Sequence, residues 1–166
     1  MSRRLAGLAA FMRELSLSLD GFSNRILTQK TIYLCQVVGV DLGYRYNWYL
    51  KGPYSPALTS DAFELKDITQ FQNVRLKDHV RGKIQVVNDL LAKHHNYDLE
   101  KADWSELLVS LHYLRHISPQ PVKKTKDEVI NALCECKNYF TSDQAACAWD
   151  ELNQMGLIEN IEVSIN

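Results

Sequence analysis

The chain has 166 residues, 46% of them hydrophobic and 23% charged, which is enough to bury a core that needs neither a disulfide nor a metal to fold. A formal net charge of -1 argues against the strongly basic balance on which non-specific nucleic-acid binding depends. Seven glycines, four prolines and the lack of any Ser, Gln or Pro tract long enough to be a linker predict one compact domain, residues 1–166.

Behind Arg3 and Arg4, apolar residues recur at helical spacing as Leu5, Leu8, Met12, Leu15 and Leu19, interrupted by Arg13 and Glu14. This is the pattern of an amphipathic helix and not of a signal peptide. No stretch approaches the roughly 20 uninterrupted apolar residues of a membrane span, so a soluble, cytoplasmic protein without a membrane partner is expected. Asp20-Gly21 breaks the helix, and Ser23 is placed to cap a second one, Ile26 to Val38, whose apolar residues surround most of its circumference. Such a helix belongs at the centre of the fold.

After Gly39 and Gly43 the period changes to two. Tyr44, Tyr46, Trp48 and Leu50 alternate with Arg45, Asn47, Tyr49 and Lys51, which predicts a strand. Gly52-Pro53 is read as the turn that stops it, and Ser55-Pro56 as the cap and first position of a short helix running to Leu65. A helix over about 74–94 follows, with Leu76, Val80, Ile84, Val87 and Leu91 on one face and His94-His95 at its negative end. Asp103 to Glu106 resembles a capping box opening a helix with Trp104, Leu107, Leu108, Leu111 and Leu114 inward, which Pro119 and Pro121 end. Two more helices are announced by Thr125 with Glu128 and Thr141 with Gln144, the last stopping at Gly156. Ile161, Val163 and Ile165 alternate with polar residues, which predicts a terminal strand paired with Tyr44 to Leu50. The fold class expected is therefore mainly α, a multi-helix domain with a small β-sheet or hairpin. Its last third, two helices and a strand, has the order of part of a winged helix.

Few residues here suggest chemistry. His112 and His116 share a helix face at a spacing that suits Zn²⁺, but Tyr113 stands where a zinc protease has its glutamate. Cys134 and Cys136 would complete a ligand set, yet free cysteine fits a buried helix face equally well. With Cys35 and Cys147 they are read as reduced thiols inside helices. No phosphate loop, dinucleotide turn or nucleophile elbow is present, so no catalytic residue, metal or cofactor is assigned. Lys123, Lys124, Lys126 and Lys137 would face phosphates if the last two helices bound DNA. The second of those helices presents Asp143, Asp150 and Glu151, which repel phosphate and favour a protein partner.

One local motif remains. Gln29-Lys30-Thr31-Ile32-Tyr33-Leu34-Cys35-Gln36, followed by Tyr46-Asn47-Trp48-Tyr49-Leu50-Lys51-Gly52-Pro53-Tyr54-Ser55 and Leu58, resembles the Panacea-type antitoxin proteins and related small prokaryotic proteins over residues 24 to 65. The resemblance implies a non-enzymatic regulatory module, antitoxin-like or accessory to a prokaryotic defence system, that binds a toxin or a defence effector. Tyr and Trp are enriched in binding hot spots, so Arg45, Tyr46, Trp48, Tyr49, Lys51 and Tyr54 are the partner-binding candidates. The alternative is a winged-helix-type DNA-binding regulator using the four lysines.

Overall fold

The structure, a computed structural model, describes residues 3–66 and 71–159. Among these the chain is mainly helical, with seven α-helices, a short 3-10 helix and one two-stranded antiparallel sheet, the fold class that the sequence predicts. It divides into two compact units, Met1–Glu106 and Leu107–Asn166.

The first unit is organised by α2 (Phe22–Val37), in which every residue from Thr28 to Cys35 is buried. Burial on all sides is what an all-round apolar helix requires. The preceding α1 (Arg3–Glu14) places Leu8 and Phe11 in the core. It stops short of Leu19 because Ser16 takes a φ of 52°, through which a right-handed helix cannot continue. Leu15 and Leu19 are buried all the same. The residue capping α2 is Gly21 and not Ser23; its φ of 85° is one that glycine adopts without steric penalty.

The aromatic strand is shorter than its alternation suggests, and among the described residues its partner is the segment that directly follows it. The strands β1 (Asn47–Tyr49) and β2 (Gly52–Tyr54) form a hairpin, with Asn47 opposite Tyr54 and Tyr49 opposite Gly52. Gly52-Pro53 thus begins the second strand, where the sequence suggests a stop. The turn is Leu50-Lys51. Neither residue has positive φ, whereas Gly52 sits at 81°, the pattern of a type I turn followed by a left-handed glycine. Proline is tolerated next to it because, among the described residues, both strands are edge strands.

The helix α3 (Pro56–Leu65) starts as predicted, with the Ser55 hydroxyl accepting from the Leu58 N–H and Pro56 at the first position. Next, α4 (Asp78–Ala92) begins at Asp78 instead of residue 74 and buries Ile84, Val87, Leu90 and Leu91. A 3-10 helix, Lys93–Tyr97, takes up His94 and His95. The last core element of this unit is Trp104, whose indole N–H donates to the Leu90 carbonyl at 2.9 Å and whose ring stacks on Tyr97. Trp104 belongs to α5 (Lys101–His116), which starts before Asp103. Asp103 therefore lies in the first turn, near the positive end of the helix, and does not cap it.

The second unit contains the remainder of α5, α6 (Lys126–Cys136) and α7 (Ser142–Gln154), with α6 packed on α7. Val129, Leu133, Ala145, Ala148, Trp149 and Leu152 are buried. The Thr125 hydroxyl accepts from the Glu128 N–H, and Thr141 with Gln144 forms a complete capping box. Gly156, at φ 70°, follows the end of α7. The strand expected at Ile161, Val163 and Ile165 lies outside the described residues. Among the described residues no helix is long and apolar enough to cross a membrane.

Candidate functional site

The hairpin and the segment entering it are held by polar side chains of α2, of which Gln29 and Lys30 are themselves buried. Gln29, 5% exposed, donates to the Ser55 carbonyl at 3.0 Å and the Thr59 hydroxyl at 2.7 Å, while its oxygen accepts from the Ser55 N–H at 2.9 Å. Gln36, two turns along, grips Tyr44 in the same way, accepting from its N–H and donating to its carbonyl, each at 2.9 Å. Each glutamine amide thus stands in for the peptide group that a neighbouring strand would offer. Between them the Lys30 ammonium, 2% exposed, donates to the Pro53 carbonyl at 2.6 Å; a buried charge is tolerated only with such partners. The Tyr46 hydroxyl donates to the Gln29 carbonyl at 3.2 Å, and its ring meets Tyr33 edge to face. One helix therefore fixes the backbone at Tyr44, Pro53 and Ser55.

A second tie joins α1, α3 and the segment entering β1. The Asp61 carboxylate accepts from Arg4 Nε and from the Tyr44 hydroxyl, both at 2.8 Å, and the Arg4 guanidinium lies over the Tyr44 ring. Burial, and then the hydrogen bond to Asp61, hold the Tyr44 phenol well above its ordinary pKa. Burial does the same to the Tyr46 phenol.

Over this frame an apolar groove of about 360 Å³ opens between α2, the hairpin and α3. Its apolar lining includes Phe22, Ile26, Tyr49, Leu50, Tyr54, Leu58 and Phe63. Phe22 and Tyr49 are each 61% exposed, Leu50 83% and Phe63 42%. Single exposed apolar residues are ordinary, but a set gathered round one concavity marks an interaction surface. Tyr49 stacks on Tyr54 with centroids 5.4 Å apart, so the hairpin side of the groove is a stiff aromatic wall. The charged residues in the lining are Arg25, Lys30 and Lys51, with no carboxylate among the described lining residues.

Of the six partner-binding candidates, Tyr49, Lys51 and Tyr54 line the groove. Tyr46 is turned toward α2. Trp48, partly buried, and Arg45, exposed, are not among the lining residues. Sequence reasoning missed Phe22, Ile26, Leu50 and Phe63. Leu50 continues the every-second-residue series Tyr44, Tyr46 and Trp48 and so reads as strand, whereas it forms the turn. Phe22 carries no local signal beyond its place after Gly21.

The four lysines proposed for phosphate contact are placed differently from one another. Lys123 is exposed. Lys124 donates to the Leu114 and Ser118 carbonyls at 2.5 and 2.6 Å, closing the C-terminal end of α5. Lys126 pairs with Asp150 at 2.8 Å, and Lys137, 3% exposed, donates to the Tyr139 hydroxyl at 3.3 Å. The exposed residues of α7 include Asp143, Asp150, Asn153 and Gln154.

His112 and His116 do share a helix face, with ring centroids 4.6 Å apart. Burial, and then the neighbouring His116, depress the His112 pKa to about 3; burial and Arg115 lower that of His116. Cys134 and Cys136 do not join them, and among the described residues no three His, Cys, Asp or Glu side chains gather as a metal-ligating set. Cys136 is exposed, contrary to the expected buried face, because it is the last residue of α6. Cys35 is buried within α2, which pushes its thiol up to about 12. In comparisons with protein-family models, with curated protein sequences and with solved structures, no match to this chain was found.

Proposed function

We infer that this protein is a non-enzymatic interaction module, antitoxin-like or accessory to a prokaryotic defence system, that acts in the cytoplasm by holding a protein partner in the groove of its first unit. The observation that carries the reading is the cluster of exposed Phe22, Tyr49, Leu50 and Phe63 around one apolar groove, mounted on a backbone that Gln29, Lys30 and Gln36 fix from behind. A surface fixed before the partner arrives loses less conformational entropy on binding. The motif that resembles Panacea-type antitoxins is also the one that builds this frame, which favours a toxin or defence effector as the partner. The DNA-binding alternative draws less support. Three of its four lysines are engaged within the second unit, and α7 exposes acidic residues.

The test compares tagged wild-type protein with the variants Leu50→Asp and Lys123→Glu, each purified from the cells that encode it after nuclease treatment. A stoichiometric protein that stays with Lys123→Glu and is lost from Leu50→Asp is the expected result. Nucleic acid lost on nuclease treatment, with no protein retained, would transfer the reading to the DNA-binding alternative.

A further inference from the structure

We propose that the occupant of the groove is an acidic amphipathic segment of a protein partner, its apolar side chains seated between α2, the hairpin and α3 and its carboxylates beside Arg25 and Lys51. This rests on the interaction reading above and specifies the partner's chemistry. Size is the first argument. A volume of about 360 Å³ lies near the lower end of the ~300–1,000 Å³ typical of ligand pockets, so the groove takes a few side chains of one segment and not a large cofactor. The chemistry of the floor is the second. Ile26, Leu58 and Ala62 offer nothing to a polar group, and the polar Thr28, Gln29 and Thr59 beside them are already hydrogen-bonded within the protein, so whatever enters must be apolar on the face that enters.

Charge decides the rest. Among the described residues, the charged ones lining the groove are all cations, and Lys30 is committed to the Pro53 carbonyl. Arg25 is exposed and gives one long hydrogen bond, 3.4 Å, to the Leu19 carbonyl; a guanidinium has five N–H donors and suits a carboxylate in a two-pronged fit. Lys51 stands at the hairpin tip and also lies near Asp103, so Arg25 is the residue on which the charge argument turns. A basic segment entering this groove would place like charges together, which is a strong means of rejecting wrong partners. Single-stranded nucleic acid would find exposed rings at Phe22 and Tyr49, but it needs a cationic track for successive phosphates. An aliphatic floor with cations only beside it provides none.

The experiment selects displayed random peptides of about 15 residues, long enough for an isolated helix to begin to form, against the full chain. Enriched peptides are then measured by fluorescence anisotropy against wild-type protein and the variants Arg25→Glu and Leu50→Asp. Both sites are exposed, and circular dichroism checks that each variant folds. The expected result is enrichment of peptides that alternate apolar residues with Asp or Glu, bound about tenfold or more weakly by either variant. Peptides that are basic or neutral, or that bind Arg25→Glu as well as wild type while losing Leu50→Asp, would overturn the acidic partner and leave the groove reading intact. Peptides indifferent to Leu50→Asp, or no enrichment together with no retention of single-stranded nucleic acid, would overturn the groove itself. A 12-nucleotide single strand, about the site size of one binding fold, serves as the last probe. Its retention by wild type and loss from Arg25→Glu, with no peptide enriched, would assign the groove to nucleic acid.

Discussion

The two units solve the same problem, holding short elements in place, by different means. In the second, α6 and α7 are joined by apolar packing around Trp149 and Leu133, their ends are closed by Thr125 and the Thr141–Gln144 box, and Lys124 and Lys126 serve internal carbonyls and a carboxylate. In the first, the hairpin is too short to hold itself, since a lone two-stranded sheet is marginal in water. Buried polar side chains of α2 take over, pairing with the hairpin backbone. Apolar packing consumes the apolar side chains it uses. Polar clamping of the backbone leaves the hairpin's own side chains available, and Tyr49 and Leu50 are consequently exposed.

The contrast is most sharply tested by removing the central piece of each unit. Trp149→Ala deletes a side chain with no solvent exposure and is expected to cost about 3–5 kcal/mol in urea unfolding followed by circular dichroism. Gln29→Leu keeps the bulk of the side chain but strands the buried Ser55 N–H, while the Ser55 carbonyl keeps the Thr59 N–H, so it is expected to cost about 1–3 kcal/mol and to speed amide exchange around Tyr54 and Ser55. If Gln29→Leu were as stable as wild type, the clamp would be incidental and the two units would not differ in kind.

A change of pH also separates the units. The His112 pKa falls from 6.5 in its ordinary state to about 3 in the folded protein, so as pH drops the unfolded chain takes up the proton first. Its contribution to stability is therefore complete above pH 6.5 and is lost progressively between 6.5 and 3, with a slope of at most about 1.4 kcal/mol per pH unit. His112→Gln is expected to flatten that part of the stability profile, read as denaturation midpoints at successive pH values. The smallest effect belongs to Lys126→Ala. It removes a pair with a 60% exposed Asp150 side chain and is expected to change stability by no more than about 0.5 kcal/mol. A larger loss would mean that the second unit also relies on polar ties.

What was legible in the sequence follows from the range of the forces involved. Helix existence and most caps depend on neighbours within a turn, so Ser55-Pro56, Thr125 and Thr141-Gln144 stand where their spacing predicts. The burial of α2 was legible from its periodicity. The hairpin was not, because Leu50-Lys51 has no turn signature and Gly52-Pro53 reads more readily as an end than as a strand. The motif Gln29-Lys30 stood out as a pattern, but its work consists of hydrogen bonds to residues 53 and 55, contacts that no local rule assigns. The groove was half legible. Tyr49, Lys51 and Tyr54 lie in the aromatic segment that drew attention, while Phe22 and Phe63 arrive from other helices and share no periodicity with it.

Because Gln29, Lys30 and Gln36 grip main-chain atoms, which every amino acid carries, their hold does not depend on what stands at positions 22, 49, 50 and 63. Those four positions are free to diversify without renegotiating the scaffold, much as the fingertips of a glove can be retextured while the hand inside stays the same. On the interaction reading proposed above, substitutions at these few sites would alter which partner is bound. An engineer would do the same with a library confined to them.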